Sequence, residues 1–152
     1  MKFSFRLLLP LLALGSFCWQ TPAIAQPQTG DLTIGISQLR NQKGQVCAKL
    51  FTNSRNFPSG EEQGAPVKCV DITELPLTLT FNDVPAGSYA VALFHDENGD
   101  RTINRNGIGI PLEGFGFSRD PVIRAAPPKF GDSVIFVAGQ NSTIQIRMTY
   151  FL

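Results

Sequence analysis

Histidine is nearly missing from this chain: 152 residues contain one, His95, and it stands far along the sequence from the cysteines. A mixed cysteine–histidine metal site therefore has nothing to complete it. No stripe of lysine or arginine runs along any segment, which excludes nucleic acid as a partner class and leaves nothing to grip an anionic membrane. Clean helical periodicity of ten or more residues is absent too, and 14 glycines with 11 prolines argue against long helices. There is no Gly-x-Ser-x-Gly nucleophile turn, and no glycine-rich run leads into a helix that would receive a phosphate.

Among the features present, the first is an apolar run from Leu7 to Trp19, broken only by Pro10, Gly15 and Ser16. Lys2 and Arg6 precede it and Ala23-Ile24-Ala25 follows it. This is the layout of a secretory signal peptide, with cleavage expected before Gln26. The run is shorter than the roughly 20 residues that span a bilayer, so a transmembrane anchor is the weaker reading. Phe17 ahead of Cys18 disfavours lipid attachment. The expected organisation is a cleaved signal over residues 1–25 and one domain over 26–152, in a periplasmic or secreted protein with no membrane insertion after cleavage. Without Lys2 and Arg6, 11 basic residues face 12 acidic ones, a net charge of about −1.

Cys18 leaves with the signal, so Cys47 and Cys69 remain as a pair in an oxidising compartment, and a disulfide between them is expected. Closing a loop of about 23 residues contributes roughly 3 kcal/mol in the chain-entropy model.

Alternating apolar residues recur through the mature chain: Leu32, Ile34, Ile36; Val46, Ala48, Leu50; Leu77, Leu79, Phe81; Tyr89, Val91, Leu93; Val134, Phe136, Ala138; and Ile144, Ile146, Met148, Tyr150. Period two in short runs predicts half-buried strands, and Val67 to Ile72 supplies one more. Asn41–Gly44 and Gly139–Ser142 are short enough for hairpin turns, and Pro85-Ala86-Gly87 makes a tight entry into the Tyr89 strand. The predicted fold is all-β, a single antiparallel β-sandwich of about seven strands. Two irregular stretches interrupt it, 52–66 and 96–131, and the second is long enough to be functional.

That second stretch opens with Asp96-Glu97-Asn98-Gly99-Asp100-Arg101-Thr102-Ile103-Asn104. Oxygen-bearing side chains fall at loop positions one, three, five and nine, with an aliphatic residue at eight. This is the ligand pattern of a calcium loop, so calcium is the candidate cofactor. Asp96, Asn98 and Asp100, the Thr102 carbonyl, Asn104 and Glu113 are the candidate metal ligands. Position twelve is Gly107 rather than glutamate, so closure depends on Glu113 folding back. With few anionic ligands the expected affinity is about 10⁻⁴ to 10⁻³ M. The structural alternative is that Asp, Asn and Gly crowd here to make turns, their side chains bonding nearby amides. His95, Phe115 and Phe117 are candidate ligand contacts; the aromatics between glycines fit an exposed stacking face or, more commonly, a packed lid. Arg119 and Arg124 flank Pro121 in a position to meet an acidic ligand, or stand as solvated loop charges.

The runs Gly87-Ser88-Tyr89-Ala90-Val91-Ala92-Leu93-Phe94-His95-Asp96-Glu97-Asn98-Gly99, Gly109-Ile110-Pro111-Leu112-Glu113-Gly114-Phe115-Gly116-Phe117-Ser118 and Pro127-Pro128-Lys129-Phe130-Gly131-Asp132 resemble, in order, a secreted bacterial family catalogued as domain of unknown function 2141. The likeness covers most of Leu32 to Tyr150. It implies an exported immunoglobulin-like or transthyretin-like sandwich and carries no activity. Family members look like Asp-x-Asn-x-Asn-Gly-x-Leu-Asp at the loop, whereas this chain has Arg101 at the sixth position and Asn104 at the ninth. Arginine in the left-handed turn that glycine would make is strained by roughly 1 kcal/mol or more.

The functional expectation is an exported, non-catalytic binding module with its surface on residues 95–132, ordered by calcium or by the turn network, and meeting a protein or carbohydrate of the cell envelope. No catalytic residue is assigned. The rivals are a small hydrolase using His95 with Asp96 or Glu113, for which no persuasive nucleophile exists, and a structural envelope component.

Overall fold

A computed structural model of the chain describes residues 28–60, 66–124, 126–139 and 141–151; the expected signal and its cleavage point lie outside them. The described residues form β1 (Thr29–Ser37), β2 (Gln45–Phe51), β3 (Val67–Asp71), β4 (Leu77–Pro85), β5 (Gly87–Asp96), β6 (Phe115–Phe117), a one-turn helix α1 (Phe130–Ser133), β7 (Val134–Val137) and β8 (Ser142–Arg147). One sheet has the order β4-β1-β8; the other runs β3-β2-β5-β6, with β7 beside β5.

The period-two pattern explains the layering. Leu32, Ile34, Ile36, Leu77, Leu79, Phe81 and Ile146 from the first sheet meet Val46, Ala48, Leu50, Tyr89, Val91 and Leu93 from the second in one buried cluster. Each of the larger side chains contributes roughly 1.5–3 kcal/mol by leaving water, so the all-β sandwich is held chiefly by this interface. β5 is buried on its other face as well, where Ala90 and Ala92 alternate with the core residues. Over those small side chains a second cluster gathers Phe51, Phe115 and Phe117 with Phe57, Ile103, Ile123 and Phe130 from the loops. The Phe57 ring centroid lies 5.3 Å from Phe51, 5.8 Å from Phe117 and 5.9 Å from Phe130. The outer face of the larger sheet is thus roofed by loops, and these carry the candidate site.

Three sequence expectations need correction. Asn41–Gly44 and Gly139–Ser142 are not hairpin turns: each links a strand of one sheet to a strand of the other. A short polar turn between alternating runs looks the same in sequence whether the chain doubles back or crosses the sandwich. A consequence of these crossings is that β8 lies parallel to β1, while every other strand pair is antiparallel. The third correction is the phase of β7. Val137 is buried and Ile135 packs against the core, while Phe136 is 69% exposed. The helical turn α1 immediately before β7 sets its phase, and period alone does not.

The expected disulfide is formed. Cys47 and Cys69 are directly opposed on β2 and β3, with Cα atoms 4.0 Å apart.

Candidate functional site

β5 ends at Asp96, and the chain returns to the sheet at Phe115 after an excursion whose base is closed by the His95 N–H donating to the Gly114 carbonyl at 2.8 Å. Within the excursion, Leu112 N–H donates to Asn104 O and Asn106 N–H to Ile110 O, each at 2.9 Å, making a small hairpin. Its tip carries Ile108, 81% exposed.

Two buried carboxylates order this loop. Asp96 is wholly buried, and its four bonds account for that. Oδ1 accepts from the Gly99 and Asp100 amides at 2.8 and 3.1 Å; Oδ2 accepts from the Arg101 amide at 2.9 Å and from Gln45 Nε2 at 2.7 Å. Glu113 is 5% exposed and folds back across the loop, as closure of the loop requires. It takes the Glu97 amide on Oε1 at 3.0 Å and the Asn104 amide on Oε2 at 2.9 Å. A buried carboxylate is tolerable because charge-assisted bonds from amides replace its hydration.

The remaining candidate ligands sit at the rim. Asp100 Oδ2 receives both the Asn98 and Asn104 side-chain amides, at 2.8 and 3.2 Å, and Oδ1 receives the Thr102 amide at 2.8 Å. Those bonds, led by Asn98, hold the Asp100 carboxyl below its ordinary value of 3.8. The structure therefore brings the Asn98, Asp100 and Asn104 side chains together, while Asp96 and Glu113 are engaged by the loop's own amides, Asp96 sharing the Asp100 amide with Asn98 Oδ1 at 3.2 Å. Among the described residues, no three His, Cys, Asp or Glu side chains gather as a metal would need.

Arg101 does adopt the left-handed conformation, at φ 61°, two residues after Gly99 at φ 78°. The strain is offset by its amide bond to Asp96. Replacing Arg101 by glycine removes that strain at some cost in unfolded-chain entropy, so we expect a net gain of about 0.5–1 kcal/mol in a urea titration. A loss of stability would mean that the arginine side chain itself supports the loop.

His95 is wholly buried on the opposite face of β5. Its Nε2 lies 2.8 Å from the Lys43 carbonyl, which can only accept, so Nε2 donates there, and Nδ1 is bonded to the Tyr150 hydroxyl at 2.8 Å. Tyr150 also accepts from the Arg40 amide at 3.2 Å, and the Arg40 guanidinium lies 4.8 Å over its ring. Burial pushes the Tyr150 hydroxyl above its ordinary value of 10.0, so it stays protonated. Arg40 further pairs with Glu97 Oε1 at 2.5 Å and donates to Leu112 O at 3.0 Å, while Asn41 donates to Glu97 Oε2 at 3.0 Å. Burial alone would raise the Glu97 carboxyl, but the bonds from Asn41 and Arg40 and the charge of Arg40 hold it below 4.5.

The β1–β2 crossing is thus a clamp on the loop. Gly44, at φ 67°, lets the backbone come so close to Asp96 that a Cβ there would strike the Asp96 carbonyl. Arg40, Gln45, Glu97 and Tyr150 carry no motif, and their sequence separations of 51 to 110 residues from their partners give no local signal.

The aromatics Phe115 and Phe117 are 6% and 8% exposed and lie in the second cluster under Phe57 and Ile123. Gly116 between them turns to the sandwich core, where a Cβ would strike Ile146, so their rings lie on the outer face of the sheet, covered by the loop roof. Ser118 is buried too; its hydroxyl donates to Ser133 O at 2.5 Å and accepts the Val91 amide at 2.9 Å.

A model of the family described as an uncharacterized protein conserved in bacteria (DUF2141) matches residues 34–145. No curated protein and no solved structure matches the chain.

Proposed function

The chain belongs to this family of uncharacterized bacterial proteins, whose description carries no activity, and from its geometry we propose that it is an exported, non-catalytic β-sandwich binding module. Its binding surface is the 95–132 region, standing on a loop already fixed before a ligand arrives. The observation that carries the reading is the burial of the reactive groups in bonds to the fold itself. Both ring nitrogens of His95 are engaged in the interior, Asp96 accepts four bonds, Glu113 accepts two, and the Ser118 hydroxyl is used twice. General acid–base chemistry needs a group within reach of substrate, and these four side chains are buried. A fixed loop lowers the ordering cost of binding, which is the service such a network performs for a module. Export is supported by the signal-like first 25 residues and by the disulfide, which persists in an oxidising compartment.

The test is a screen of esters, peptides, phosphoesters and glycosides with the wild type and His95→Ala. We expect turnover by neither. Turnover that His95→Ala abolishes would replace the module with the hydrolase.

A second reading concerns calcium, and one observation favours it: Asn98 and Asn104 both point their amides at Asp100 Oδ2. Reversing the two amides, at the cost of the bond that Asn98 Oδ1 accepts from the Asp100 amide at 3.2 Å, would present their oxygens beside that carboxylate, giving a site of one anionic and two neutral ligands, with affinity of about 10⁻³ M or weaker. Its test is a calcium-selective rise in melting temperature, argued further below.

A further inference from the structure

Of the seven arginines among the described residues, three have partners for their side chains. Arg40 pairs with Glu97, Arg147 with Asp120, and Arg105 donates to the Gly109 carbonyl. Arg119, Arg124 and Lys129 differ: among the described residues none of them enters an ion pair. All three line one open groove of about 730 Å³. The only acid there is Asp132, whose Oδ2 accepts the Lys129 amide at 3.0 Å. The lining is therefore cationic in a mature chain that is slightly acidic.

The walls of this groove are built rather than loose. Arg119 sits at φ 68° on a turn where Asp120 N–H donates to Phe117 O at 3.1 Å. On one side of it, the buried Ser118 hydroxyl ties the turn to the Ser133 carbonyl, and hence to the segment bearing Lys129. On the other, Asp120 accepts from the Arg147 amide and Nε at 2.9 and 3.0 Å. Ile123 and Phe130 are anchored in the aromatic cluster. Alternation about Ile123 leaves Val122, 82% exposed, and Arg124 outward. The cations thus stand on fixed backbone around an apolar floor of Val122, Pro121, Pro127 and Pro128.

We infer that this groove is a subsite for an acidic glycan, its carboxylate or sulfate groups held by Arg119, Arg124 and Lys129 and a sugar-ring face laid on the proline and valine surface. Guanidinium groups match such oxyanions with paired N–H donors. An extended peptide suits the groove less well, because three of its lining residues are prolines with no N–H to pair with a second backbone. The inference rests on the reading of 95–132 as a binding surface.

The experiment is calorimetric titration of the oxidised protein with polygalacturonate, dextran sulfate, neutral dextran and polyglutamate. It is repeated with Arg119→Gln, Arg124→Gln and Lys129→Gln combined, and with a control combining Lys43→Gln, Arg55→Gln and Lys68→Gln, which removes the same charge from exposed positions elsewhere. Circular dichroism confirms that each variant is folded. We expect binding of an acidic glycan but not of neutral dextran, weakened about tenfold or more by the groove substitutions and less than about twofold by the control. The two acidic glycans tell carboxylate from sulfate recognition. Equal weakening in both variants would reduce the effect to net charge and overturn the subsite; so would polyglutamate binding at least as tightly, or no glycan binding at all. Should the groove fail in this way while another ligand binds and is lost with Asp96→Ala, the module reading stands; turnover dependent on His95 would remove the module itself.

Discussion

Asp96→Ala is expected to lower stability by about 3 kcal/mol, a fall of roughly 10 °C in melting temperature for a domain of this size. The substitution leaves three backbone amides and the Gln45 side-chain amide facing a cavity where a carboxylate stood. Each buried donor without a partner costs about 1–3 kcal/mol, and water entering the cavity recovers part of that. Asp96→Asn separates geometry from charge. Its oxygen still serves the Gly99 and Asp100 amides, but its NH₂ meets the Arg101 amide donor, so about half the loss is expected. Hydrogen exchange should show protection lost at Gly99, Asp100 and Arg101 before the strands respond.

A second variant decides whether calcium adds to this network. If the amide network suffices, Asp96→Ala loses equal stability in chelator and in millimolar calcium, and the wild-type midpoint is indifferent to the ion. If calcium also orders the rim, the wild type gains stability progressively with calcium concentration, with magnesium as the control, and Asp100→Ala abolishes that gain. A calcium gain that survives Asp100→Ala would sink the rim site.

The sequence carried the sandwich plainly, because strands half-buried between two sheets leave a period-two signature: Leu32, Ile34 and Ile36, or Tyr89, Val91 and Leu93, all lie in the core. It also carried the loop, since Asp96, Asn98, Gly99 and Asp100 are turn formers whatever they bind. Strand connections were less legible. Asn41–Gly44 reads as a hairpin turn and is a crossing between sheets, for nothing local encodes which neighbour a strand chooses. Least legible were the second halves of the hydrogen bonds. His95 needs Tyr150 and Lys43, and Glu97 needs Arg40 and Asn41, partners that only the folded chain brings near. The exposed Phe136 and the buried Phe117 make the same point for aromatics: both stand on the outer face of the larger sheet, opposite Ser88 and Ala92 of β5, and only the loop roof over Phe117 separates them.

Removing the disulfide, by reduction or by Cys47→Ser with Cys69→Ser, is expected to cost about 3 kcal/mol, since the open chain regains the freedom of a loop of about 23 residues. The structure says where that loss is felt. β3 lies at the edge of its sheet, held by its ladder to β2 and by the bridge at the Cys47↔Cys69 pair. Gln45, two residues from Cys47 on the same strand, is paired in register with Asp71 of β3 on one side and Asp96 of β5 on the other, and it gives its side-chain amide to the Asp96 carboxylate. Loosening β3 therefore loosens the residue that steadies the loop. Combining the cysteine substitutions with Asp96→Asn in a double-mutant cycle should give a coupling above about 0.5 kcal/mol, the level at which distant sites cease to look independent. A purely additive result would confine the disulfide to the edge strand. Coupling would mean that closing the disulfide also sets the loop.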